Sequence, residues 1–112
     1  MTVIALVNQK GGCGKSTTSV HLAEYLRRSH KDILLIDADA QQSSSKWVSK
    51  MSEPIAYQIM QDPNAILDEI PTLKNKFLII DGPASLSETT RAILLRADLA
   101  VIPCQPTGLD LS

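Results

Sequence analysis

The stretch "NQKGGCGKSTT", Asn8 to Thr18, ends in the Gly-Lys-Ser of a phosphate-binding loop. Gln9, however, stands where the G-x-x-x-x-G-K-[ST] pattern requires its first glycine, and an extra cation, Lys10, follows it. The loop is either degraded or a different working version, and its surroundings decide which. Upstream lies the apolar run "VIALV" at 3–7. Downstream, Val20, Ala23 and Leu26, with Leu22 beside them, form one apolar stripe at helical spacing, while Glu24, Arg27 and Arg28 fall largely elsewhere. A strand, a glycine-rich turn and a helix in that order make an anion nest. Gly11, Gly12 and Gly14 let the backbone curl so that its N–H groups, Cys13 included, point inward at a helix N-terminus. A polyphosphate is the natural guest. Lys15 is placed to neutralise its β and γ phosphates, the Ser16 hydroxyl to coordinate Mg²⁺, and Thr17 to donate to an α-phosphate oxygen.

Three further apolar runs follow: "ILLI" at 33–36, "FLII" at 77–80 and "LAVI" at 99–102. Their near-continuous hydrophobicity predicts strands buried on both faces, as in a parallel sheet. Helical segments separate them. "SLSETTRAILLRA" at 85–97 opens with Ser85 and Glu88 at capping-box spacing and directs Ile93, Leu94 and Ala97 toward a core. Pro63 suits the first turn of a helix beginning near Asp62, with Ile66, Leu67 and Ile70 facing inward and Pro71 ending it. "SSSKWVSKM" at 43–51 reads as a short helix with Trp47 and Met51 one turn apart, and "IAYQIM" at 55–60 as a short strand or extended chain. The alternation predicts an α/β fold, mainly a parallel sheet with flanking helices, whose ligand sits at the carboxyl ends of the strands.

Composition sets the outer limits. The 112 residues are 44% hydrophobic and 21% charged, which suits one globular domain, and no apolar run approaches a membrane span. "MTVIALV" lacks the basic leader and small-residue cleavage site of a secretory signal. Cys13 and Cys104 lie far apart without Cys or His neighbours at ligand spacing, so neither a disulfide framework nor a zinc site is predicted, and a cytoplasmic location fits best. A net charge of -1 with interspersed signs shows no stripe that would track a nucleic-acid backbone.

The remaining polar signatures fall at predicted strand ends. "LLIDADAQQ" puts Asp37 and Asp39 two residues apart, on one face if the strand continues. "LIIDGPA" puts Asp81 after four apolar residues, before a Gly82-Pro83 turn. Carboxylates at such places can hold a hydrated Mg²⁺ and orient a water; the alternative for each alone is an aspartate capping a turn, a reading that the three together with the glycine loop disfavour. Cys13 reads as a small residue at a variable position, His21 and His30 as surface residues, and Cys104 as core. Trp47 reads as a packing anchor or a partner-facing aromatic, and Arg91 and Arg96 as a solvated helix face.

These motifs resemble those of the ParA/MinD ATPases: "KGGCGKST" is similar to their deviant Walker A, "LLIDADAQ" to their second motif and "FLIIDGPA" to their Walker B. The resemblance runs along the whole chain and is strongest with small plasmid-type ParA partition ATPases. It implies a P-loop NTPase fold with residues 1–112 as a ParA-type nucleotide-binding domain, incomplete at its C-terminus. In such a family Gln9 is no defect. Lys10 would reach across an ATP-sandwich homodimer to the partner's phosphates, a role worth about 10³ to 10⁵ in rate for trans cations elsewhere. Asp39 would position the attacking water, and Asp37 and Asp81 would support the metal through its waters. Ala40 departs from the family's usual proline, which implies a more flexible loop around Asp39. Pro103, Gln105, Pro106 and Gly108 would lie near the nucleotide or dimer interface. ATP over GTP, a ParB-like stimulating partner, nonspecific DNA binding and a role in plasmid or chromosome partition are likewise implied by the resemblance alone. Two alternatives stay open: a truncated nucleotide-binding module without turnover, and a MinD-like positioning ATPase, which would need a C-terminal amphipathic segment absent from this sequence.

Overall fold

The computed structural model describes residues 1–7, 15–30, 32–83 and 87–102. In chain order the elements are β1 (Thr2–Leu6), α1 (Lys15–His30), β2 (Ile33–Asp37), α2 (Ser43–Ser49), β3 (Tyr57–Ile59) and α3 (Pro63–Glu69), followed by a 3-10 turn (Ile70–Thr72). β4 (Phe77–Asp81), α4 (Glu88–Arg96) and β5 (Leu99–Val101) complete them. The five strands form one sheet in the order β3-β2-β4-β1-β5, and every pairing is parallel. The α/β architecture read from the apolar runs is therefore the one observed.

Alternating side chains along a strand point to opposite faces, so each buried strand supplies two cores. Ile4 and Leu6 of β1, Ile33 and Leu35 of β2 and Ile79 of β4 join Val20, Ala23 and Leu26 of α1 and Val48 of α2 on one face. Val3 and Ala5, Ile36, and Leu78 and Ile80 face the other way, onto Ile66 of α3, Ile70, and Ala92 and Ile93 of α4. Two aspartates set the strand register at the opposite end. Asp98 accepts the Val3 amide at 2.7 Å and returns its own amide to the Val3 carbonyl at 2.8 Å, while Asp32 accepts the Lys76 amide at 3.0 Å.

The structure departs from the sequence expectations in two places. β5 is not buried on both faces: it pairs with β1 alone among the described residues, leaving Leu99 55% and Ile102 63% exposed. α4 begins later than the capping-box spacing implied, with Ser87 as its cap accepting the Thr90 amide; Ser85 lies outside the described residues. That phase turns Ala92 inward and leaves Leu94 exposed. β3 is a short edge strand, and α3 starts at Pro63 as predicted.

Candidate active site

Strand register gathers the site. Leu6, Asp37 and Asp81 are aligned across β1, β4 and β2, so the three central strands end together at their carboxyl edge. Behind Asp81 the chain must pass close to β1: the Gly82 amide donates to the Leu6 carbonyl at 2.9 Å, and a Cβ on residue 82 would itself lie 2.9 Å from that oxygen. Only glycine fits this approach. α1 then starts at Lys15, directly over the strand ends.

Lys15 is 6% exposed, and its ammonium lies 2.6 Å from Asp81 Oδ1 and 3.3 Å from Asp39 Oδ2. An ammonium buried without such partners would be strongly unfavourable. The Ser16 hydroxyl donates to the other Asp81 oxygen at 3.1 Å. Asp81 therefore faces the two side chains expected to meet phosphate and metal. Thr17 is exposed on the same first turn, with its carbonyl accepting His21 Nδ1–H at 2.9 Å.

Asp37 is different. One of its oxygens accepts the Asp39 amide at 3.1 Å and the other the Ser45 amide at 2.9 Å. Gln42, the N-cap of α2, makes no side-chain cap bond, so the Asp37 carboxylate satisfies an amide of that first turn in its place. The turn-holding alternative weighed for these aspartates is what Asp37 displays. Asp39 reaches Lys15 by another route than the shared strand face expected from its spacing. β2 stops at Asp37, and the following turn swings Asp39 back over the strand ends: Gln42 donates to the Asp39 carbonyl at 3.0 Å and Gln41 to its Oδ1 at 3.2 Å.

Among the described residues, Lys15, Ser16, Asp39 and Asp81 bring together one ammonium, one hydroxyl and two carboxylates. Among the described residues, no cluster of three or more His, Cys, Asp or Glu side chains forms a metal cage. The set fits Mg²⁺ arriving with phosphate oxygens, which takes one or two carboxylates and keeps waters. An open cavity of about 620 Å³ lies elsewhere, lined by Glu24, Arg27, Arg28, Met51, Ser52 and Glu53, and includes none of the site residues. Lys10, Gly11, Gly12, Cys13 and Gly14 lie outside the described residues, as do Cys104 and the segment carrying Pro103, Gln105, Pro106 and Gly108. Sequence reasoning missed Ser45 and Gln61, whose side-chain amide donates to the Asp39 carbonyl at 3.2 Å. The serine run before Trp47 hinted at the first; nothing in the pattern marked the second.

A profile of the AAA domain family matches residues 1–72. The chain is 34% identical over 113 residues to maintenance of carboxysome distribution protein A from Gloeobacter kilaueensis, covering 98% of this chain and 52% of that protein. It is 29% identical over 134 residues to the chromosome-partitioning ATPase Soj from Thermus thermophilus, covering 91% and 54%. The chain thus spans about half the length of these curated relatives. Among solved structures, cobyrinic acid a,c-diamide synthase from Mycobacterium smegmatis, with bound ATP analog and magnesium, superposes with a TM-score of 0.82 at 21% identity, covering 93% of this chain and 58% of that one. A putative plasmid partition protein from Borrelia burgdorferi bound to AMPPNP gives 0.73 at 21% identity, covering 91% and 62%. These likenesses show a shared P-loop NTPase fold. No described helix is long and apolar enough to cross a membrane.

Proposed function

The chain belongs to the ParA/MinD family of ATPases, and from that premise we propose that it is the nucleotide-binding part of an Mg²⁺-dependent ATPase that dimerises on ATP and drives partition of DNA. The observation that carries this reading is the Lys15 ammonium held between Asp81 and Asp39 over the aligned strand ends.

Each residue has a distinct part. Lys15 exchanges its carboxylate partners for the β and γ phosphate oxygens, which share their negative charge. Ser16 and Asp81, already hydrogen-bonded to each other, would hold the metal. Mg²⁺ bound with the nucleotide supplies neutralisation of the charge on the phosphate oxygens. Asp37 would back that metal site and, through its two amide bonds, keeps the Asp39 turn in place. Asp39 is the solvent-facing carboxylate of the group, its side chain 14% exposed against 0% for Asp81, and it orients the attacking water. Gly11, Gly12, Cys13 and Gly14 cradle phosphate with their amides, Thr17 meets the α-phosphate, and Lys10 serves the partner subunit's nucleotide. A ParB-like partner accelerates a slow basal turnover, and nonspecific DNA is the surface on which the dimer works.

The test is Mg²⁺-dependent ATP hydrolysis with size analysis in ATP, ADP and no nucleotide. Asp39→Ala is expected to keep nucleotide binding and to lose turnover by about 10²-fold or more; Lys15→Ala loses binding itself. Lys10→Ala keeps monomer binding and weakens the ATP dimer. Full turnover in Asp39→Ala overturns the mechanism. A second reading is nucleotide holding without turnover. Nucleotide binding with neither hydrolysis nor an ATP-dependent dimer would select it.

A further inference from the structure

The turn carrying Asp39 does not hold its shape by local preference. Gln42, at its end, has φ 56°, a left-handed conformation that a residue with a side chain rarely adopts. Its amide reaches back to the Asp39 carbonyl at 3.0 Å, with Ala40 and Gln41 at the corners. A second donor meets that carbonyl from outside the turn: Gln61 Nε2, two residues past the end of β3, at 3.2 Å. Gln61 is itself held, because its own carbonyl accepts the Thr89 hydroxyl at 2.9 Å. Thr89 lies in the first turn of α4, the helix that comes after Asp81 in the chain. An unbroken path thus runs from Asp39 through Gln61 to α4.

We propose that Gln61 is a positioning residue: its side-chain amide fixes the backbone of Asp39 over Lys15, and its carbonyl ties that position to the first turn of α4 through Thr89. Displacement of α4 at its N-terminus then moves Asp39 relative to Asp81. The catalytic consequence rests on the reading of Asp39 as the group that orients water, whereas the latch itself does not.

Hydrogen exchange on the whole 112-residue chain without nucleotide separates the two. Gln61→Met matches the length of the side chain and removes the donor. The Gln41 and Gln42 amides are expected to exchange about tenfold faster in it, while the amides of α1 keep their protection. Adding Ala40→Pro restores slow exchange to within about twofold, since proline is favoured at the second position of such a turn and fixes its φ. A residue that only fills space would not be rescued that way. Thr89→Val loosens the same amides about threefold, together with the first turn of α4. Unchanged exchange at Gln41 and Gln42 in Gln61→Met overturns the proposal, as does failure of Ala40→Pro to restore it. In Mg²⁺-ATP turnover the same pair lowers and then recovers kcat with KM unchanged. If the turn loosens and is rescued as expected while Asp39→Ala keeps full turnover, the latch stands and the water-orienting reading of Asp39 falls.

Discussion

Asp37 and Asp81 sit directly opposite each other on β2 and β4, are both completely buried, and each closes its strand, yet they do different work. Asp81 is met by side chains, the Lys15 ammonium and the Ser16 hydroxyl. Asp37 is met by backbone, the amides of Asp39 and Ser45. The path of the chain beyond each strand makes the difference. After β2 the chain folds straight back into α2 and leaves amides that need an acceptor. After β4 it passes under β1 at Gly82, and among the described residues the first turn of α1 supplies the donors that meet Asp81. Side-chain partners can leave for a ligand, whereas backbone partners cannot leave without unmaking the turn. Register alone therefore makes neither carboxylate catalytic; the mobility of its donors does.

The sharpest way to break this contrast is Asp37→Ala. It strands one buried and one partly buried amide that now have a charged acceptor, each bond worth roughly 1.5 kcal/mol, so a loss of about 3 kcal/mol is expected. The urea midpoint should fall with the m-value unchanged. A loss under about 1 kcal/mol would mean that water replaces the carboxylate easily and that Asp37 is not architecture. Next in size is Asp81→Asn, which keeps an oxygen for Lys15 and leaves Asp39 beside that ammonium. About 1 kcal/mol of stability should go. Under the proposed function, Mg²⁺ should in addition cease to tighten nucleotide binding, as read by titration with and without the metal. Equal stability losses in the two variants would erase the distinction between them.

Much of this pair was legible in the sequence, because an apolar run, its terminal aspartate and the glycine loop are each contiguous in the chain. The division of labour was not. Asp37 finds Ser45 eight residues on, and Gln61 finds Asp39 and Thr89 across 22 and 28 residues, distances over which no periodicity speaks. The exposure of β5 was hidden for a related reason: "LAVI" reads the same whether a strand has one neighbour or two. Near α4, the sequence pointed to Ser85, whereas the helix takes Ser87 as its cap and turns Leu94 outward. Trp47 was left open between anchor and partner contact. It is 40% exposed and stands edge-on to His21, ring centroids 5.7 Å apart, so it joins α2 to α1 while keeping a solvent face. Arg96 also does more than solvate its helix, donating from Nε and a terminal nitrogen to the Leu67 carbonyl near the end of α3.

A third carboxylate tests how far the contrast depends on burial. Glu24 of α1 accepts from Arg27 at 2.7 Å and from Arg28 at 3.1 Å, so like Asp81 it is held by side chains, but Arg28 is 80% exposed. The Arg27 hydrogen bond, with that of Arg28, outweighs the opposing effect of burial and holds the Glu24 carboxyl below its ordinary 4.5. A carboxyl whose folded pKa lies below its unfolded one adds stability above the unfolded value and loses it as pH falls through the folded value. The Tm advantage of the protein over Glu24→Gln should therefore be full above the ordinary carboxyl range and be lost as pH falls through the lowered folded value. It should also shrink with added salt and be the smallest of the three effects, because exposed partners are screened by solvent. Its second oxygen, shielded and without a partner among the described residues, offsets part of what the arginines contribute. An advantage that survives acidification would trace to packing of the side chain against its neighbours, leaving mobile side-chain donors consequential only where, as at Asp81, water is kept away.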